Sequence, residues 1–344
     1  NYLKKENKNA NLNIKGLIKK DKKITINQLE YIEDKNFIKL KNLKLGKNYK
    51  IKEIQELQLN YNTVNKINNN ILLIKNKKKY ILSSKSFDGI SLIKNLTDVS
   101  SKSNFFDIFD NISNVINLKI DKTHLSKSNY LKQLNGDLKI ENNKIVNASI
   151  LAKYSEKDKF FFNVKNSNNG EKITTLYSDR AKPFVKNYKF IKGFEKGVLE
   201  FQSIKKNNTS RSVLKIDNFK VKEVPVLAKI LTLASLQGIA DILTGEGIRF
   251  TDFEMVFLNK DSLMTIDEIY AIGPAISIMM SGYIEAEKLV SLKGTLVPAT
   301  TINRTIASIP ILGDILIGKK VGEGVFGVSF KIKGPPKNLK TTVN

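Results

Sequence analysis

The sequence predicts a mainly β protein, a long antiparallel sheet of hairpins with a few short amphipathic helices near the C-terminal end. Three observations predict it. Short runs alternate apolar and polar residues with period two, as in Phe160, Phe162 and Val164. Turn chemistry separates those runs at spacings of about ten residues. Helical periodicity is confined to two passages in the last third of the chain, one after Pro225 and one after Ile302.

The chain divides into three stretches: 1–100, 101–218 and 219–344. In the first, Ile24 with Ile26, Ile38 with Leu40, Leu43 with Leu45, and Leu57 with Leu59 share faces, and most residues between them are Lys, Thr, Gln or Asn. This is a meander with one wet face. The apolar face slips by three residues between Leu40 and Leu43, which calls for a bulge. The polar tract Asp98–Asn104 is the joint to the second stretch, followed by a short helix from Phe105 to Ile116. Strands resume at Leu118 with Ile120, Leu138 with Ile140, Val146 with Ala148 and Ile150, and Ile173 with Thr175 and Tyr177. They are linked by turns such as Glu141-Asn-Asn-Lys144 and Asn166-Ser-Asn-Asn-Gly170. Asp179–Asn187 reads as a crossing segment in which Pro183 opposes a regular helix. Leu199, Phe201, Leu214 and Ile216 lead back into strand.

The third stretch is the densest. Pro225 suits a first helical turn, and Leu227, Ile230, Leu231 and Ala234 then recur at helical spacing. Gly238 interrupts, Ile239, Ile242 and Leu243 resume, and Gly245 and Gly247 supply the positive-φ positions that end the helix. A second broken helix over 301–317 carries Ile302, Ile306 and Ile309, restarts at Pro310, and continues through Leu312, Ile315 and Leu316 to Gly318. Met255 with Phe257, Ile276 with Ile278 and Met280, and Phe326 with Val328, Phe330 and Ile332 read as strands around these helices.

Val224-Pro-Val-Leu-Ala-Lys-Ile-Leu-Thr-Leu-Ala-Ser-Leu236, Gly245-Glu-Gly-Ile-Arg-Phe250, Leu292-Lys-Gly-Thr-Leu-Val-Pro-Ala299, Ile309-Pro-Ile-Leu-Gly-Asp-Ile-Leu316 and Gly322-Glu-Gly-Val-Phe326 together resemble one known family. It is the AsmA-like C-terminal domain family of large bacterial envelope proteins, the group that includes YhdP and is related to TamB. The likeness is specific over 219–334. Tyr177-Ser-Asp-Arg-Ala-Lys-Pro-Phe184 and Gly193-Phe-Glu-Lys-Gly-Val-Leu199 are weaker landmarks, and 1–114 carries none. Periodicity alone leaves a barrel, a sandwich and an open gutter equally available to a long one-faced sheet.

The resemblance implies the last of these, an elongated, curved, taco-like groove that holds phospholipid acyl chains between the inner and outer membranes. It also implies a periplasmic location and an inner-membrane anchor in a missing N-terminal segment. A start at Asn1 without methionine is what a fragment would show. On this view the function is non-enzymatic lipid transport or outer-membrane homeostasis, with assembly of outer-membrane proteins as the alternative. Leu227, Ile230, Leu231, Ile242, Leu243, Ile302, Ile306, Ile309, Leu312, Ile315, Leu316, Phe326 and Phe330 are the candidate lipid or membrane contacts.

Composition bounds the other classes. The formal charge of +25 raises a polyanion as partner, but of 58 basic residues only Arg180, Arg211, Arg249 and Arg304 are arginine. Abundant Asn, Ile and Lys, all with A/T-rich codons, account for the charge without nucleic acid. Lys39, Lys41 and Lys44 are interleaved with apolar residues as on a solvated sheet face. With no cysteine there is no disulfide or thiolate metal site, and His124 is the single histidine, placed by Lys122-Thr-His-Leu-Ser-Lys127 in an exposed polar loop. Asp252 with Glu254 and Asp267 with Glu268 read as solvated pairs. Gly313-Asp-Ile-Leu-Ile-Gly-Lys-Lys320 lacks the hydroxyl residue of a phosphate-binding loop, so neither cofactor nor metal is expected.

Overall fold

The computed structural model describes residues 8–18, 24–46, 49–90, 108–185, 192–222, 224–286, 288–298, 327–336 and 338–343. Their nineteen strands belong to one hydrogen-bonded sheet, and the chain forms two compact units, Asn1–Leu176 and Tyr177–Asn344. The joint expected at Asp98–Asn104 lies outside the described residues.

The first unit is a ladder of neighbouring strands. It comprises β1 (Asn11–Ile18), β2 (Ile24–Glu33), β3 (Asn36–Leu45), β4 (Ile51–Asn62), β5 (Asn68–Asn76), β6 (Lys79–Asp88), β7 (Asn114–His124), β8 (Tyr130–Glu141), β9 (Lys144–Lys153) and β10 (Lys159–Asn166). Strand β11 (Lys172–Ser178) crosses the division between the units. Register puts Ile38, Leu40, Leu57 and Leu59 on one face with Ile71, Leu73 and Leu82. The opposite face carries the lysines. Lys41 pairs with Glu56 at 3.0 Å, and Lys44 and Lys75 both reach Glu53, at 3.3 and 2.9 Å. The Lys75 hydrogen bond is the main cause holding Glu53 below the usual carboxylate range, against the opposing effect of burial. Such exposed pairs each contribute little to stability, and they orient the basic face outward.

The slip between Leu40 and Leu43 is made at Asn42, whose φ of 48° rotates the pleat so that both leucines are buried in one cluster with Ile54. The same device recurs twice. Gln133 at φ 50° lets Leu131 and Leu134 share a face, and Asn218 at φ 53° does so for Ile216 and Phe219. Asn and the similar Gln occupy the strained position, where a β-branched residue would clash with its own backbone. Asn142 and Asn143, both at positive φ, close the β8–β9 hairpin as a two-residue turn.

One pair departs from the antiparallel expectation: β6 and β7 run parallel, from Lys79↔Val115 to Asp88↔His124. A parallel neighbour requires the chain to return to the starting end. The described part of that return is tied down at both sides. Asp110 N donates to Ile51 O at 2.7 Å, and Ile112 N donates to Asn143 Oδ1 at 2.7 Å. The helix expected over Phe105–Ile116 is therefore not found over 108–116, where the chain is extended from Asn114 onward; 105–107 lie outside the described residues.

The second unit comprises β12 (Lys192–Lys206), β13 (Thr209–Lys222), β14 (Ile248–Lys260), β15 (Leu263–Ile272), β16 (Ile276–Glu285), β17 (Leu289–Pro298), β18 (Val328–Gly334) and β19 (Lys340–Val343), all in antiparallel sequence. Its helices are α1 (Lys182–Val185), α2 (Pro225–Leu233) and α3 (Gln237–Thr244). In α1, Pro183 sits in a single helical turn, a setting where a missing N–H costs nothing.

Pro225 opens α2 as expected, but the break between α2 and α3 falls at Ser235, not Gly238. Ser235 has φ 58°, its N–H donates to Thr232 O and that of Leu236 to Leu231 O, so the carbonyls of the last turn are satisfied before the chain turns. Gly238 lies inside α3. Of the two glycines expected at positive φ, Gly247 is at 90°, while Gly245 is at −85°.

Helix α3 packs on β13 and α2 on β19. Six strand spacings separate those strands, about 29 Å in a flat sheet. Two helices side by side span only about 20 Å. The sheet of this unit therefore curls toward the helix pair, which bridges its concave face at the end holding Val221, Ile248, Ile276, Leu296 and Val328, all buried.

Candidate apolar binding face

Cross-strand register assigns the concave face of the second unit residue by residue. Leu199 and Phe201 of β12 align with Ile216 and Leu214 of β13, and these with Phe253 and Met255 of β14. Met264, Ile266, Ile269 and Ala271 continue the face on β15, and Ile278, Met280 and Ile284 on β16. Leu292, Gly294 and Leu296 of β17 and Val328, Phe330 and Ile332 of β18 complete it. The same register places three polar side chains on this face, Ser203 and Ser212, whose hydroxyls bond at 2.9 Å beside Phe257, and Asn259 opposite Met264.

Burial is graded along that face. Under the helices it is closed: Phe219 stacks between Phe194 and Phe250 at centroid distances of 5.3 and 5.4 Å and meets Phe253 edge-on at 6.3 Å. Away from the helices, Phe257, Ile266 and Ile269 form a buried floor. Around it Phe201, Leu214, Met255, Met264, Met280, Ile284 and Leu292 are only partly buried. A half-wet apolar patch beside a dry core is the geometry that accepts an apolar guest.

The sequence-selected residues fall differently. Leu227, Ile230, Leu231 and Leu243 are buried, because the helical stripes that carry them are what fix α2 and α3 to the sheet. Phe330 is buried as well, its ring lying over Gly294, where an added Cβ would come within 2.7 Å of it. As folded, these five side chains lie in the core. Ile242 on α3 is 47% exposed, and Leu233 on α2 is 50% exposed. Ile302, Ile306, Ile309, Leu312, Ile315, Leu316 and Phe326 lie outside the described residues, as does the stretch Gly313–Lys320.

What sequence reasoning missed is the methionine-bearing end. All four methionines of the chain lie on β14, β15 and β16. Their clustering was visible, but the strand pattern absorbed it.

One member of each acidic pair has a structural partner. On the convex face Glu254 Oε2 receives Lys215 Nζ at 2.8 Å and the Tyr270 hydroxyl at 2.9 Å. The Lys215 contact holds Glu254 below the usual carboxylate range, while burial and then the Glu254 hydrogen bond push Tyr270 up to about 12. Asp267 pairs with Arg211 at 2.9 Å. Among the described residues no group of three His, Cys, Asp or Glu could hold a metal ion, and no helix is long and apolar enough to cross a membrane.

His124 corrects the sequence expectation. It ends β7 instead of sitting in an exposed loop, and its Nδ1 is enclosed without a hydrogen-bond partner. Burial, and behind it the Lys122 ammonium, holds it below the ordinary imidazole value of 6.5, with Asp88 opposing. Protonation therefore favours the unfolded chain. The stability held above the unfolded value is lost as pH falls from there through the folded value. Denaturant midpoints of the wild type should drop as pH falls below the ordinary imidazole value of 6.5, and His124→Gln should flatten that dependence. Equal slopes for the two proteins would remove His124 from the account.

Compared with family models, with curated proteins and with solved structures, the chain matches none of the three.

Proposed function

We propose that this protein is a non-enzymatic carrier of phospholipid in the bacterial envelope, holding acyl chains on an apolar β-face while headgroups stay in water. It would act in the periplasm between the inner and outer membranes. The observation that carries the proposal is the partly buried end of the concave face, where Phe201, Leu214, Met255, Met264, Met280, Ile284 and Leu292 surround a dry floor. Leaving such side chains half in water forgoes about 25 cal/mol per Å² of apolar surface, and an acyl chain laid there recovers about 0.8 kcal/mol for each methylene it buries. Movement along the face is passive, since apolar contact has no direction.

The test is mass spectrometry of organic extracts from the full chain, purified without detergent, together with uptake from phospholipid vesicles. Bound phospholipid near one or a few molecules per chain is expected. Protein that carries none and takes none up from vesicles overturns the proposal. Polyanion binding that falls steeply with salt would favour the alternative of a phosphate binder.

A further inference from the structure

The four methionines are not scattered. Met255, Met264 and Met280 point to the concave face, where they pack together around Phe257, Ile266 and Ile269, and Met279 is on the opposite face of β16. Each of the three is partly exposed. Thioethers at this depth have two properties that leucine lacks. Their unbranched chains reshape around an apolar guest, and their sulfurs accept an oxygen atom from a hydroperoxide.

We propose that Met255, Met264 and Met280 form an oxidation site at which hydroperoxides switch off apolar guest binding. In the reaction a methionine sulfur attacks the outer peroxide oxygen. The S–O bond forms as the O–O bond breaks, the second oxygen leaves as water or alcohol with the peroxide proton, and the thioether is oxidised by two electrons to the sulfoxide. The product is polar and chiral, and the floor it stands on, Phe257, Ile266, Ile269, Phe201, Leu214 and Leu292, is apolar except where Asn259 registers with Met264 and Ser212 with Phe257. An acyl chain laid against three sulfoxides takes their oxygens out of water and offers them no hydrogen bond in return, so binding weakens while the dry helix-covered end stays closed. Reduction of the sulfoxides restores the site. The inference rests on the apolar-guest function proposed above.

The experiment uses the full chain and the fluorescent apolar probe N-phenyl-1-naphthylamine, titrated before and after hydrogen peroxide, with peptide mass spectrometry to locate the added oxygen. Affinity of the wild type should fall about tenfold or more on oxidation. A Met255→Leu/Met264→Leu/Met280→Leu variant, whatever its own starting affinity, should show no change on peroxide treatment, Met279→Leu should lose affinity on oxidation as the wild type does, and methionine sulfoxide reductase should restore wild-type binding. Leucine conserves volume well enough for the variant to fold, and circular dichroism with the single variant Met280→Leu checks this. Probe binding that is peroxide-insensitive, or oxidation that spares these three sulfurs, or equal loss in the leucine variant, overturns the switch and leaves guest binding standing. No probe binding before oxidation overturns both.

Discussion

Alanine at Gly282 should lower stability by about 3 kcal/mol or more, a large share of the roughly 5 to 15 kcal/mol that typically holds a domain folded. Gly282 stands at φ 146°, a region L side chains rarely adopt. An added Cβ would lie 2.1 Å from Ser291 O and 3.0 Å from Leu292 Cα, which are backbone of the paired strand and cannot swing aside as a side-chain end could. Relief requires β16 and β17 to part where Gly282 faces Leu292, in the middle of the concave face. Gly170→Ala is the control: its φ of 73° imposes backbone strain of about 1 kcal/mol, and the new methyl meets nothing within 4 Å. Denaturant titration followed by circular dichroism measures both. A loss for Gly282→Ala no larger than that of the control would show that the ladder yields at this point.

Truncation at the helix seam comes second. Leu231→Ala and Leu243→Ala should each cost about 3 to 4 kcal/mol, because both side chains are fully enclosed, with 0% exposure, and their removal leaves a cavity between the helices and the sheet. Leu233→Ala and Ile242→Ala, on the same two helices with the outward side chains, should change stability by no more than about 0.5 kcal/mol. The pair Leu231→Ala/Leu243→Ala should fall short of the sum of its singles if one void serves both sites. Comparable effects at inward and outward positions would mean that the helices do not sit on the sheet as described.

Much of this fold was legible in the sequence. Period-two runs such as Phe160, Phe162 and Val164 place β10, and the Asn142-Asn143 turn announces its hairpin through side chains that tolerate positive φ. Leu40 and Leu43 showed that the apolar face must slip between them, but the expected bulge is absent there: pairing stays two against two, Lys41↔Glu56 and Leu43↔Ile54, and the positive φ of Asn42 makes the slip. The parallel pairing of β6 with β7 was hidden, since a strand's own alternation says nothing of its neighbour's direction. Ser235 was hidden for another reason. Serine gives no composition signal for a positive-φ helix end, whereas Gly238 drew attention and proved to be helical.

The candidate site was harder still. Amphipathic stripes at Leu227, Ile230, Leu231 and Leu243 look the same whether they face lipid or their own sheet, and here they face the sheet. The half-wet end became visible only when cross-strand register put Phe201, Leu214, Met255 and Leu292, far apart in sequence, on one surface.

The parallel seam between β6 and β7 also has a kinetic consequence. Either side of it, neighbouring strands are joined by short turns, so their hydrogen bonds form between residues close in sequence and can assemble early. The seam instead waits on closure of the whole stretch 89–113, whose entropy must be lost before any ladder bond repays it. The first unit is therefore expected to come together as two hairpin arrays, β1 to β6 and β7 to β10, with the line along Leu82 and Leu118 the last to zip.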